Sequence, residues 1–341
     1  MTPTRSRQPL VFVLPPGSAE PSGGNVYNRE LSRALAELVP VTLTTFAQAD
    51  VALRTGKHGV FLFDTLELEA TGALGPSAPG QVRLLVVHHL PSLEPSVRFD
   101  ASDLARENEA LARFDGFVAT SDFTRELLVA RGHTERGILT VPPAASPSAS
   151  AIRIYAPPLS ALLVANVIPR KGVLELFEAL ADVVRGELAL SLRIVGGIGM
   201  APAYVERCHR TLARSPALSA AVRFGGPVPY ELMGATYDAA HVLVSASSME
   251  TFGMAIYEAR AHGLPVLALD GGYVRHHFTD GENGVLCRTP HELAATLCEL
   301  SEDERRMRAL FDAAQGSRIS APYGWPEAAK RFLAELERVG L

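Results

Sequence analysis

Glu250 and Glu258 stand eight residues apart in the stretch SSMETFGMAIYEARAHGLPVLALDGG. The first falls in an apolar, glycine-containing loop, and the second about one turn into a helix that starts near Gly253 or Met254. Both carboxylates then reach the mouth of that helix, where the backbone N–H groups of Gly253, Met254 and Ala255 form a cradle for an anion. A surface helix alone accounts for Glu258. It does not account for a carboxylate set in an apolar loop.

Arg170 and Lys171 occur in LLVANVIPRKGVLELFEAL, between an apolar run and a helix beginning at Gly172. Helix starts more commonly carry acidic side chains, so two cations beside helix amides suit a bound diphosphate better than a solvated charge pair. In RIVGGIGM, Gly196, Gly197 and Gly199 fit a tight strand-to-helix turn near a nucleotide, although their spacing is not the GxGxxG fingerprint. Gly23-Gly24, in PPGSAEPSGGNVYNREL, directly precede a helix. They either let amides approach an anion or make a plain surface turn, and they are not part of a P-loop, which needs GK[ST]. His88-His89 follow RLLVV. Adjacent residues at a strand end point opposite ways, so one imidazole is expected to act as a hydrogen-bonding or acid/base group and the other to be structural.

The elements that must position these residues alternate along the chain. Strands are expected at 10–14, 41–45, 60–63, 83–87, 116–119 and 138–141, with helices at 25–38, 104–114 and 121–130. Ser121 or Asp122 with Glu126 gives the last of these a capping signature. The stretch VPPAASPSASAIRIYAPP, rich in Pro, Ser and Ala, is the best linker. After it, strands are expected at 159–165, 190–195, 222–224, 242–245 and 265–268, and helices at 172–184, 201–213, 229–239, 254–262, 290–300, 302–314 and 325–339. Two consecutive α/β halves predict two Rossmann-like domains facing each other over a cleft. The expected boundaries are 1–150 and 151–322, followed by a last helical segment at 323–341.

Composition narrows the function classes. Of 341 residues, 47% are hydrophobic and 20% charged, ample for two cores. A net charge of -5, from 32 Lys+Arg against 37 Asp+Glu, offers no global attraction to nucleic acid or an anionic membrane. Three cysteines, Cys208, Cys287 and Cys298, lack CxxC spacing and read as packing residues in a reducing compartment. The apolar run at 10–14, after Arg5 and Arg7, is too short for a signal-peptide core and reads as a first buried strand. No apolar stretch approaches the ~20 residues that span a bilayer. A soluble, cytoplasmic protein is expected, with peripheral contact to a membrane face left open.

Taken together, these residues resemble a retaining glycosyltransferase of family 4, with the GT-B fold. The resemblance covers nearly the whole chain and is strongest from Leu162 to Leu286. Its most specific element is the E-x7-E motif, Glu250-TFGMAIY-Glu258, followed by ARAHGLPVLA. The resemblance implies that Glu258 holds ribose hydroxyls of a sugar nucleotide and that Glu250 contacts the transferred sugar near its reacting face. It assigns the diphosphate to the amides of Gly253, Met254 and Ala255 and to Arg170 and Lys171. Gly23, Gly24, Asn166 and Gly196 join the nucleotide-sugar site, and His88 lies near sugar and acceptor. The 1–150 domain would then bind acceptor, the 151–322 domain the nucleotide sugar, and the last helix would cross back to the first domain. Departures are visible. Asn166 stands where the family has a phosphate-binding arginine, Arg170 neighbours it, His276 replaces the usual acid in GGYVRHHFTDGENG, and NGVD is missing after Val141-Pro142.

The implied reaction is transfer of a hexosyl unit from a UDP- or GDP-sugar to a hydroxyl acceptor, with retention and without a metal or other cofactor. The acceptor is a glycan, a lipid-linked molecule or a small molecule, and the protein is a monomer or a homodimer. An alternative is a catalytically silent glycosyltransferase-like subunit that binds a nucleotide sugar or a partner protein. A nicotinamide-dependent dehydrogenase is disfavoured by the missing fingerprint.

Overall fold

A computed structural model describes residues 8–17, 22–75, 77–95, 98–145, 153–184, 186–319 and 323–340. The expected 150/151 boundary and the middle of the linker lie outside the described residues. The chain divides into two compact units: Met1–Ala19, Gly24–Ala144 and Tyr323–Leu341 form one, and Glu20–Gly23 with Ala145–Pro322 the other.

The first unit holds strands β1 (Leu10–Val13), β2 (Val41–Thr44), β3 (Gly59–Asp64), β4 (Gln81–Val87), β5 (Gly116–Ala119) and β6 (Ile138–Thr140). They pair in parallel in the order β2-β1-β3-β4-β5-β6. Helices α1 (Gly23–Ala36), α2 (Phe46–Arg54), α3 (Ala101–Leu111) and α4 (Asp122–Ala130) lie between strands in the chain. Central strands such as β4 are buried along nearly their full length, which is why they read as continuous Leu/Val runs rather than alternating ones.

The second unit holds β7 (Leu159–Val164), β8 (Leu190–Val195), β9 (Val222–Gly226), β10 (Val242–Ser245), β11 (Val266–Leu269) and β12 (Gly284–Cys287), again all parallel, in the order β12-β11-β10-β7-β8-β9. Its helices are α5 (Val173–Val183), α6 (Pro202–Ala213), α7 (Pro216–Ala221), α8 (Met233–Asp238), α9 (Met254–Ala261), α10 (Pro290–Glu302) and α11 (Glu304–Gly316). One continuous core runs through this sheet and its helices, from Leu162 and Val244 to Phe177, Leu297 and Phe311. The last helix, α12 (Trp325–Arg338), belongs to the first unit. There Trp325 meets the edge of Tyr27 at 5.8 Å, and Arg338 donates to the Ile138 carbonyl at 2.8 Å.

Several expected elements differ. α2, α7 and β12 were not expected. α2 starts with a capping box in which Thr45 and Gln48 satisfy each other's groups. Of the two caps expected for α4, Ser121 is the one formed, and the amide of Thr124 donates to its hydroxyl at 3.1 Å; Glu126 takes no part in it. A cap reaches only the first turn, and Glu126 lies beyond it. Cys208 and Cys287 are buried and unbridged, and Cys298 is partly buried.

Candidate active site

In the second sheet the strand order reverses between β7 and β10, the place where open α/β sheets leave a crevice beyond their carboxyl ends. The loop leaving β7 ends in a tight turn, Pro169–Lys171, closed by Gly172 in the left-handed region. A Cβ on Gly172 would come within 2.1 Å of the Ala246 carbonyl oxygen, so only glycine lets this turn press against the loop leaving β10. On the other side of that loop, Gly272, at φ +63°, approaches equally closely: a Cβ there would lie 2.2 Å from the Glu250 carbonyl oxygen. Tyr273 donates its amide to that same carbonyl at 2.8 Å. The Glu250 loop is thus clamped by backbone from two directions.

Within the clamp, Lys171 Nζ lies 2.5 Å from Glu250 Oε1, with both side chains largely buried. Ser247 Oγ lies 3.3 Å from the Arg170 carbonyl, which ties the two loops together. Burial pushes the Glu250 carboxyl upward, but the charges of Lys171 and Arg170 and hydrogen bonds from Lys171 and Ser247 outweigh it and hold it below the ordinary carboxylate value. Three residues on, Gly253 opens α9 in the left-handed conformation with no side-chain cap. The first amides of α9 are therefore not taken by a capping side chain. Beside them, His277 Nε2 lies 2.5 Å from the Phe252 carbonyl, and its imidazole is pushed down to about 4 by burial, so it is neutral.

Glu258 is buried in the second turn of α9. Tyr237, from α8, donates its hydroxyl to Glu258 Oε2 at 2.6 Å. Burial raises this carboxyl to about 7, although the Tyr237 hydrogen bond works against the rise. The two carboxylates of one motif are therefore held in different states, Glu250 ionised by its cations and Glu258 poised near neutrality.

The family described as "Glycosyl transferases group 1" matches residues 148–316, almost the whole of the second unit. Over these residues the second unit is similar to group 1 glycosyltransferases. D-inositol 3-phosphate glycosyltransferases are similar to the chain in sequence. That of Thermomonospora curvata is 33% identical over 178 residues, 50% of this chain and 41% of the relative, and that of Streptomyces bingchenggensis is 32% identical over 211 residues, 59% of this chain and 46% of the relative. Each match spans less than half of the curated relative's own length. Among solved structures, Anabaena HepE in complex with UDP and glucose superposes with a TM-score of 0.73 at 17% identity, covering 97% of this chain and 100% of that one. Sucrose-phosphate synthase from Thermosynechococcus elongatus gives 0.73 at 22% identity, covering 97% and 98%. The chain has the GT-B fold.

In the second unit, Lys171, Arg170, Glu250 and the Gly253, Met254 and Ala255 start of α9 come together at the switch point, with Glu258 in the next turn. Asn166 and Gly196 stand on the β7 and β8 loops. There Gly197 donates its amide to Asn166 Oδ1 at 2.8 Å, and Gly196 donates to the Gly226 carbonyl at 3.0 Å. His88 and Gly24 belong to the first unit, where a Cβ on Gly24 in the first turn of α1 would lie 3.0 Å from the His88 ring; Gly23, the first residue of α1, is grouped with the second unit. His276 is exposed and stacks on Tyr273 at 4.4 Å. Among the described residues, no group of three His, Cys, Asp or Glu is placed to hold a metal, and no helix is long and apolar enough to cross a membrane. Sequence reasoning missed Tyr237, Asn28 and Asp64. The one signal for Asn28 was its place on the apolar face of α1, three residues after Asn25, where both are buried.

Proposed function

We propose that this chain is a retaining glycosyltransferase that moves a hexosyl unit from a UDP- or GDP-sugar to a hydroxyl acceptor. The observation that carries the reading is the Lys171–Glu250 pair held beside the uncapped start of α9 at the sheet's switch point. In glycosyl transfer the C–O bond to the leaving group breaks through an oxocarbenium-like state while negative charge grows on the departing diphosphate. Lys171, Arg170 and the amides of α9 supply fixed positive charge for that group, in place of a metal ion. Ionised Glu250 stands beside them, suited to hydroxyls of the transferred sugar. Glu258 accepts ribose hydroxyls through the oxygen that Tyr237 does not take. The acceptor is assigned to the carboxyl end of the first sheet, where His88 stands. The names of the similar proteins support a sugar nucleotide as donor and a hydroxyl-rich small molecule as acceptor.

A second reading, a silent subunit that binds a nucleotide sugar, draws on Asn166: where the family carries an arginine, this carboxamide is engaged with the Gly197 amide. Titration calorimetry with UDP and GDP, followed by a donor-hydrolysis and transfer assay over a panel of sugar nucleotides, separates the two. Binding with turnover is expected. Binding without any turnover favours the silent subunit, and no binding of either nucleotide rejects both.

A further inference from the structure

The first sheet has its own switch point, between β1 and β3, and three polar side chains meet there. They are Asn28 on α1, Asp64 at the end of β3 and His88 just beyond β4. Asn28 Nδ2 donates to Asp64 Oδ2 at 2.5 Å, and the Leu66 amide donates to Asp64 Oδ1 at 2.8 Å. His88 Nε2 lies 3.1 Å from Asn28 Oδ1 and 3.4 Å from Asp64 Oδ2. Its backbone amide is held by Thr65 Oγ1 at 3.2 Å, and the edge of Tyr27 packs on its ring at 5.1 Å. Asn28 and Asp64 are almost fully buried.

Donor and acceptor chemistry closes this chain in one direction. A carboxylate only accepts, so Asn28 must turn its NH2 group toward Asp64; the reversed amide would set two oxygens against each other. The Asn28 carbonyl then faces His88, and it too only accepts. Nε2 must therefore carry the ring proton. Burial lowers the imidazole's proton affinity, and although Asp64 works in the opposite sense, the net direction favours the neutral ring.

We propose that Asp64 and Asn28 are positioning residues that fix His88 in the Nε2-protonated tautomer and so set the donor and acceptor roles with which its ring meets substrate. This role rests on the glycosyl-transfer reading, but its structural half does not. Neither residue touches substrate; both act through the imidazole, as outer partners orient a ligating or catalytic histidine.

The test is side-chain 15N NMR of the full chain, with His88→Gln to assign the His88 signals. The wild type is expected to show a pyrrole-type Nε2 and a pyridine-type Nδ1. Asp64→Asn keeps an acceptor for the Leu66 amide but frees the Asn28 amide to turn, and Asn28→Ser removes the relay. Either is expected to give a mixture of tautomers. A wild-type ring protonated on Nδ1, or a tautomer unchanged in both variants, overturns the proposal. In transfer assays Asp64→Asn should cost about one hydrogen bond, roughly tenfold. In the His88→Gln background it should cost nothing more, and full additivity would place Asp64's effect elsewhere. A chain that transfers no sugar rejects the proposed function while leaving the tautomer measurement intact. Sugar transfer together with the wrong tautomer rejects only this inference.

Discussion

At the switch point of the first sheet, Asn28, Asp64 and His88 hold one another by side-chain hydrogen bonds, whereas at that of the second, Lys171 and Glu250 are held by loops whose backbones meet at glycines. The two addresses are equivalent in topology and differ in what is fixed. In the first unit a proton position is fixed by a chain of groups with defined donor and acceptor roles. In the second a concentration of charge is fixed, and backbone contact keeps it from relaxing. The first arrangement suits recognition of a neutral hydroxyl. The second suits a diphosphate, whose charge must be matched before it arrives.

The contrast breaks most visibly at Lys171. Lys171→Ala leaves Glu250 largely buried without its ammonium partner and is expected to lower stability by about 3 kcal/mol. Transfer should fall by about two to three orders of magnitude, as for loss of one preorganised donor. Adding Glu250→Gln should recover most of the stability and none of the activity. Recovery of both in the double variant would mean that the pair is structural. Next in size is Gly272→Ala, which touches no charge. Its Cβ would enter the space of the Glu250 carbonyl, so the loop must shift, and a displacement near 1 Å is expected to cost about a hundredfold in turnover. Donor affinity measured with UDP should change far less, because α9 stays in place.

These two variants also mark what the sequence made legible. Lys171, Glu250 and the start of α9 stood out because each lies in a loop directly after an apolar strand, where local spacing reports position. The order in which those strands pair is set by crossovers, so the shared switch point was not written in any one segment. Tyr237 and Glu258 are 21 residues apart, and Asn28 and Asp64 are 36 apart. No periodicity connects such pairs, and they become partners only when α8 meets α9 or α1 meets β3. β12, the short run GVLC, is a strand because β11 offers it a parallel ladder, not because of its own composition. α2 was missed for a different reason: Val51 faces solvent and only Ala49 and Leu53 are buried, so its apolar stripe is weak, although its Thr45–Gln48 box is visible in retrospect.

A smaller effect sharpens the comparison within the second unit. Folded Glu258 binds its proton more tightly than an unfolded glutamate, because burial raises its carboxyl from 4.5 to about 7. The associated stability is present below about pH 4.5 and is lost as pH rises through about 7, on the order of 3 kcal/mol. Glu250, held below its ordinary value, works in the opposite sense at lower pH. Comparing wild type with Glu258→Gln isolates the Glu258 slope in thermal melts from pH 4 to 8. UDP affinity should rise over the same range as the carboxylate forms. Tyr237→Phe removes the bond that favours the ionised form, so it should move that inflection upward and weaken binding about tenfold at neutral pH. An unmoved inflection would show that Tyr237 does not control this carboxylate.

The smallest expected change is at Asn166, and it decides whether the residue acts by touching phosphate or by shaping the loop. Its Oδ1 receives the Gly197 amide, so Asn166→Ala should cost about 1 kcal/mol of stability and a few-fold in UDP affinity. Asn166→Asp keeps an acceptor for that amide and should restore stability. If Asn166 only shapes the loop, the aspartate should also restore most of the affinity. If the side chain faces the diphosphate, the new negative charge should weaken UDP binding below that of the alanine variant, and increasingly so at low salt, where charge repulsion is least screened. The salt dependence of the Asn166→Asp variant is therefore the measurement that assigns this position, and with it whether Arg170 and Lys171 carry the diphosphate without a third side chain.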